Sequence, residues 1–140
     1  MSRLARVALL LSAPTLLAAQ AEQRTIRGAD VAIYNLVGSI RAEAGTGDAV
    51  TADVRRGGAD AAKLRIETGP VRGRETLRVI YPSDRIRYRD EEMYGITLYV
   101  REDGTFSDGD FRGFQGERVR ISGRSGDLEA FADVVVRVPK

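Results

Sequence analysis

Apolar and polar residues alternate with a period of two along most of this chain. Val50, Ala52 and Val54 fall on one side of an extended backbone, and the polar residues between them fall on the other. Such alternation predicts half-buried β-strands. The predicted strands lie at 31–37, 39–44, 50–55, 63–67, 76–81, 96–101, 118–122 and 128–138.

The segment 128–138 is the longest strand candidate, with every second residue apolar from Leu128 to Val138. Several positions that the alternation turns inward hold alanine, where a thick globular core favours leucine or phenylalanine. Small inward residues favour a thin, closely stacked sheet, as in flat or repetitive β architectures. These positions are Ala42, Ala44, Ala52, Ala130 and Ala132.

Glycine-rich clusters separate the predicted strands, as at 45–48, 57–58, 69–70 and 125–127. Glycine supplies the positive φ angles that tight turns need. Helix is nearly absent from the pattern. The one exception is a helical turn at 60–63, where we expect the Asp60 side chain to cap a short alanine stretch.

The N-terminus has the pattern of a secretory signal peptide that forms a helix and is cleaved. Arg3 and Arg6 precede an apolar run at 7–17, and 19–21 provides the small-x-small cleavage pattern. The alternative, a buried or membrane-spanning helix, is disfavoured because a span needs about 20 apolar residues. The prediction is a signal peptide at 1–21, one exported domain at 22–140, and no stable membrane span after cleavage.

The formal charge of +2 belongs to the signal peptide, because Arg3 and Arg6 account for the whole excess. In the remainder, basic and acidic side chains are equal in number and interspersed. That pattern is typical of a solvated face and not of a phosphate-binding groove. We therefore expect no nucleic acid partner.

The chain has no cysteine, histidine or tryptophan. Catalytic triads with histidine, the usual zinc ligand sets and imidazole acid–base chemistry are therefore excluded. A domain without disulfides is held by packing and backbone pairing alone. We expect no cofactor.

Two clusters of acidic residues are candidate sites. Asp90, Glu91 and Glu92 form a charged run that could serve a glycosidase, although neighbouring residues splay apart and a solvated turn is favoured. The other cluster, with oxygen ligands suited to calcium, is interrupted by Arg112 and Val119 where the calcium-loop template needs acids. That second cluster consists of Asp103, Asp108 and Asp110. We expect no metal ion there.

A glycine-rich connection at 104–116 carries Phe106, Phe111 and Phe114. Loops of this length tend to be functional or disordered. The functional interpretation is an aromatic contact surface for a partner or a glycan. The alternative, which we favour, is that the rings fold back over the sheet, because exposed phenylalanine clusters are costly.

Two stretches resemble a known family: 34–42, which reads N-x-x-G-x-I-x-A from Asn35, and 122–130, a Ser-Gly turn leading into the valine-rich strand. They resemble the bacterial putative-adhesin family of β-strand repeat proteins, which is related to the toast-rack domains of the cell envelope. The resemblance spans roughly 25–140. It implies an all-β fold, either a stacked β-strand repeat that resembles the opening region of a β-solenoid or an irregular two-sheet domain.

The chain departs from that family in two ways. Family members usually continue into many short repeats, whereas this sequence stops at Lys140, and its insert at 81–117 is longer and more charged than a repeat turn. We expect either a truncated reading frame or a short form whose unpaired strand edge promotes self-association.

The resulting functional prediction is a non-catalytic, adhesin-like or envelope-associated binding and structural module. It would be periplasmic, attached to the outer envelope or secreted, and its partner would be a protein or a glycan. The alternative is an envelope-stress sensing domain that regulates a membrane protein, as the toast-rack resemblance implies. A carbohydrate-active enzyme ranks third.

Overall fold

The computed structural model describes residues 21–88, 95–107 and 114–140, and these residues form an all-β structure without an α-helix. Eleven strands and one turn of 3₁₀ helix at Ala61–Lys63 are present in that part. The strands are β1 Glu22–Ile26, β2 Val31–Tyr34, β3 Gly38–Ala44, β4 Val50–Gly57, β5 Arg65–Val71, β6 Arg74–Ile80, β7 Arg85–Arg87, β8 Ile96–Val100, β9 Glu117–Ser122, β10 Leu128–Glu129 and β11 Phe131–Val138.

The strands form three small sheets, each with both parallel and antiparallel pairs. Sheet I has the order β1-β4-β11-β3, sheet II the order β2-β6-β5, and sheet III the order β10-β7-β9-β8. The parallel pairs are β3 with β11, β2 with β6, and β7 with both β9 and β10. The sequence interpretation allowed a repeat or two sheets, whereas the described residues form three.

One apolar core connects the three sheets. Val54 and Val134 contribute from sheet I, Leu77 from sheet II, and Ile86 and Ile121 from sheet III. All five side chains are almost fully buried. The core therefore holds together sheets whose strands are short, since a strand pair is marginal by itself in water.

The predicted alternation is confirmed in β4 of sheet I. Ala52 and Val54 of β4 are buried and Val50 is half-buried, while Arg55 is exposed. Two strands were not expected from the sequence. β1 follows the predicted cleavage site and is polar in four of its five residues, and β7 has only three residues.

The predicted single strand at 128–138 is wrong in one respect, because it divides at Ala130 into two strands. Leu128 and Glu129 pair with β7 in sheet III, whereas the chain from Phe131 onward pairs with β4 and β3 in sheet I. The chain therefore changes sheet at Ala130.

The expected burial of Ala42 and Ala44 is also wrong, since both lie on the inner face of sheet I but are exposed. They lie on β3, an end strand of sheet I, beyond the region that the core covers. The other three alanines singled out, Ala52, Ala130 and Ala132, are buried as expected.

The helical turn after Asp60 is confirmed as a 3₁₀ turn, but its expected cap is wrong. The Asp60 side chain makes no capping bond to the turn. Its Oδ2 instead accepts from the backbone N–H of Glu129 at 2.9 Å, and its own N–H donates to the Glu129 carbonyl at 2.9 Å. The hydrogen bond from Glu129 holds the pKa of Asp60 below its usual value.

The predicted signal helix at 1–21 lies outside the described residues except for Ala21. In the part of the chain that the structure covers, no helix is long and apolar enough to span a membrane.

Candidate functional site

A tight turn follows β8, at the start of the glycine-rich segment 104–116 that carries the phenylalanines. The N–H of Arg101 donates to the carbonyl of Thr105 at 2.8 Å, and the N–H of Gly104 donates to the carbonyl of Arg101 at 2.9 Å. Gly104 has a φ of 86° and lies against Ile80 of β6, where a side chain would collide. Glycine is therefore required for the turn to approach sheet II.

Arginines hold this turn against β6. Arg78, only 9% exposed, donates from Nη1 to the carbonyl of Asp103 at 2.9 Å, and Arg72 donates from Nη2 to Oγ1 of Thr105 at 2.6 Å. The Asp103 carboxylate accepts from the N–H and the hydroxyl of Thr105 at 2.9 and 2.7 Å. Partial burial opposes ionisation of Asp103, but the Thr105 hydrogen bonds and the charges of Arg72 and Arg78 lower its pKa overall.

Phe106 folds back onto the structure, as the favoured interpretation of the loop predicts. Its backbone forms an isolated antiparallel bridge with Val100. Its ring contacts the ring of Tyr34 edge-on, with the centroids 5.4 Å apart, and packs against the core. Phe106 thus serves packing in this structure.

Phe114 makes a different contact. The guanidinium carbon of Arg101 lies 3.9 Å from the centroid of its ring, which is the geometry of a cation–π interaction. Phe106 and Phe114 are therefore both placed beside the end of β8. Phe111, the third predicted contact residue, lies outside the described residues.

A cleft of about 890 Å³ opens beside this turn, between the end of β6, the end of β8 and the start of β9. Its apolar lining is mostly buried, whereas its polar lining is mostly exposed and carries both charges. The apolar lining includes Leu36, Val79, Tyr81, Val100 and Val119, and the polar lining includes Asp84, Arg101, Glu102, Gln115 and Glu117. We call this feature the β6–β8 cleft.

Of the two acidic clusters, only Asp103 lies among the described residues. Asp90, Glu91 and Glu92, like Asp108 and Asp110, lie outside the described residues. Asp103 is described, and its carboxylate is engaged by Thr105 and Arg72. Among the described residues no group of three or more acidic side chains is placed to hold a metal ion.

Sequence reasoning missed Arg78, Arg101 and Tyr81 as parts of this region. A signal for Arg78 existed, because a lone arginine interrupts the apolar run from Leu77 to Tyr81. A charged residue buried in such a run needs a partner. Its partners are the Glu67 carboxylate on β5, 3.6 Å from Nη1, and the carbonyl of Asp103 in the turn after β8. No local pattern could identify the turn.

No protein-family model, curated protein or solved structure matches the chain. The resemblance to the putative-adhesin family therefore stays a prediction.

Proposed function

We propose that this chain is an exported, non-catalytic module of the cell envelope that binds other envelope components in the manner of an adhesin. The observation that carries this proposal is the β6–β8 cleft. Its volume lies in the range typical of ligand sites, and a buried apolar floor with a polar rim is the usual composition of such sites. The floor can cover the apolar face of a sugar ring or a side chain, and the rim can bond its polar groups.

The described carboxyl groups with displaced pKa values do not have the character of a general acid. In the described part of the chain, every carboxyl group with a displaced pKa has it lowered, by hydrogen bonds or by neighbouring arginines. A general acid needs the opposite displacement, which comes from burial without such partners. The groups concerned are Glu22, Asp53, Asp60 and Asp103.

The finer architectural proposal is that these sheets are the opening region of a stacked, solenoid-like β structure. Strands far apart in sequence pair in parallel, as β3 does with β11 and β2 with β6. Two parallel strands need a connection that returns the chain to the starting end of the sheet. A chain that winds repeatedly around one core, as in a solenoid, makes these connections at every turn and so pairs its strands in parallel. This winding supports the structural part of the proposed role.

Export is tested by expressing residues 1–140 with a C-terminal epitope in a Gram-negative bacterium and fractionating the cells. We expect the protein in the periplasmic or envelope fraction with Glu22 as its first residue. A protein that stays in the cytoplasm with Arg3 and Arg6 intact would contradict export.

Binding is tested by sedimenting the purified protein with cell-wall sacculi and, separately, with outer-membrane vesicles. Gln115→Trp places a large ring at the rim of the β6–β8 cleft, whereas Arg118→Trp adds the same ring at an exposed residue outside the cleft lining. We expect co-sedimentation that Gln115→Trp abolishes and Arg118→Trp preserves. Equal loss in both variants, or no co-sedimentation, would overturn the proposal.

A further inference from the structure

We infer that β3 is the pairing edge of a symmetric dimer, in which the β3 strands of two copies join antiparallel about a two-fold axis at Ala42. The inference does not depend on the proposed function, since it uses neither the β6–β8 cleft nor export. It rests on three features of Gly38–Ala44: free backbone groups, uncovered apolar side chains and a self-complementary charge pattern.

The free backbone groups belong to alternate residues of β3. Ala132 donates to the carbonyl of Val37, and Gly45 donates to the carbonyl of Val138, so the odd-numbered residues of this segment face β11. In a parallel ladder the intervening residues turn their N–H and C=O groups the other way. Among the described strands none pairs on that side of β3. The groups of Ile40, Ala42 and Ala44 are therefore presented to a further strand.

The apolar side chains of β3 are uncovered. Ile40, Ala42 and Ala44 continue the row of Val134 and Val136 on the inner side of sheet I, because these residues are paired in register. Val134 and Val136 are buried, whereas Ile40 is 50% exposed. An exposed, flat, apolar edge of this kind is a template for strand addition.

The charge pattern identifies the occupant as a second copy. Antiparallel pairing about Ala42 sets Arg41 opposite Glu43 of the second copy, and Glu43 opposite its Arg41, while Ile40 faces Ala44. Within one chain Arg41 and Glu43 form an ion pair at 2.7 Å, and Arg137 lies 3.8 Å from the Glu43 carboxylate. Both side chains remain solvent-accessible, at 70% and 38%, so each can also meet its opposite charge across the axis. Opposite charges and apolar groups that face each other across strands are each favourable. The interface is isologous, as a two-fold axis requires.

This register also satisfies the backbone. It pairs even-numbered residues with even-numbered residues, and these are the residues whose N–H and C=O groups point outward from β3. Ala42 would then exchange two hydrogen bonds with its own counterpart. Two four-stranded sheets would become one continuous sheet across the axis.

The pairing of Arg41 with Glu43 across the axis is tested by sedimentation velocity. The protein is expressed from the full chain and measured as purified from the host. Because interfaces below about 1,200 Å² are typically transient, protein concentrations up to about 1 mM are needed. We expect a dimer that Arg41→Glu and Glu43→Arg each weaken about tenfold or more. An equimolar mixture of the two variants restores dimerisation, since every opposed pair is again of opposite sign. Arg55→Glu, at an exposed residue of β4, is the matched control.

The axis position is tested by disulfide formation, which is unambiguous because the chain has no cysteine. Opposed residues of a hydrogen-bonded pair have Cα atoms about 5.5 Å apart, within the range of a disulfide. Ala42→Cys is therefore expected to form a cross-linked dimer under mild oxidation. Ala44→Cys is the control, because position 44 would face position 40 of the other copy and not itself.

Three results would overturn the inference. The first is a monomer at every concentration. The second is a dimer that neither charge reversal weakens, which would mean another interface. The third is cross-linking through position 44 but not through position 42, which would mean another register. The disulfide test applies even if a charge variant fails to fold, because alanine to cysteine is a small change at an exposed site.

Discussion

The hydroxyl oxygen of Tyr81, just after β6, lies 2.7 Å from Oδ1 of Asn35 in the connection between β2 and β3. The same hydroxyl lies 2.9 Å from the carbonyl oxygen of Val37, and Nδ2 of Asn35 donates to the carbonyl of Ala132 at 2.7 Å. Burial raises the pKa of Tyr81, so that the hydroxyl remains a donor. This network joins sheet II to β3 and β11 of sheet I.

The first prediction is that removal of the Tyr81 hydroxyl lowers the stability of the fold. Tyr81→Phe keeps the buried ring but leaves Oδ1 of Asn35 without that donor, whereas the carbonyl of Val37 keeps the N–H of Ala132. A buried polar group that loses its partner costs about 1–3 kcal/mol. We expect the free energy of unfolding, measured by urea denaturation, to fall by that amount.

Tyr34→Phe is the matched control, because it preserves the ring that packs on Phe106. Its effect is expected to be below about 0.5 kcal/mol, as for most substitutions away from buried networks. Equal stability losses in the two variants would contradict the role assigned to the Tyr81 network.

The second prediction concerns Gly38, which begins β3 with a φ of 113°. A Cβ there would overlap the carbonyl oxygen of Ala132, so both the backbone angle and the space require glycine. We expect Gly38→Ala to lower the free energy of unfolding by about 3 kcal/mol. Gly47→Ala is the control, since its Cβ would meet no atom closer than 4.0 Å. A tolerated Gly38→Ala would mean that β3 and β11 are not paired in this register.

The alternation of side chains made most strand positions predictable from the sequence. β4 is an example, because one face of the strand faces the core and the other faces solvent. Apolar and polar residues therefore alternate along it with a period of two. The same rule failed for β1, where only Ile26 is buried and the pairing with β4 is made by the backbone. Polar side chains at a sheet edge leave no such period.

The partners of each strand could not be predicted, because pairing depends on contacts between distant residues. Nothing near Leu128 indicates that the chain changes sheet two residues later. The candidate site shares this limit. The phenylalanines drew attention to the segment after β8, but the contact between Arg78 and the turn at Asp103 joins residues 25 positions apart.

The third prediction is that the free energy of unfolding falls at acidic pH. Hydrogen bonding from Arg56 lowers the pKa of Glu22 from its usual 4.5, and hydrogen bonding from Arg137 lowers that of Asp53 from 3.8. Because the unfolded chain then binds protons more readily, this stabilisation is present above those usual values and is lost as the pH falls through the folded-state values. We expect chemical denaturation to show lower stability at pH 3 than at pH 7.

The contribution of these two groups is isolated by the double variant Glu22→Gln with Asp53→Asn. It is expected to be less stable than the parent at pH 7 by about 1 kcal/mol, since both ion pairs are partly solvated. The difference should shrink at pH 3, because below the usual values of 4.5 and 3.8 the unfolded parent binds protons more readily than the folded parent and the stabilisation declines. Asp48→Asn, at an exposed turn residue, is the control. A difference that stays constant between the two pH values would contradict the ion-pair account.

The Thr105 hydroxyl is expected to stabilise the turn that borders the β6–β8 cleft. Thr105 is fully buried, and its hydroxyl accepts from Arg72 and donates to Asp103. Thr105→Val keeps the shape but removes both bonds, so we expect a loss of about 1–3 kcal/mol. The pKa of Asp103, followed by NMR, should rise, because a hydrogen bond that lowers it is gone. Thr97→Val, at an exposed position of β8, should change neither quantity. An unchanged pKa of Asp103 in Thr105→Val would mean that the hydroxyl does not hold the turn.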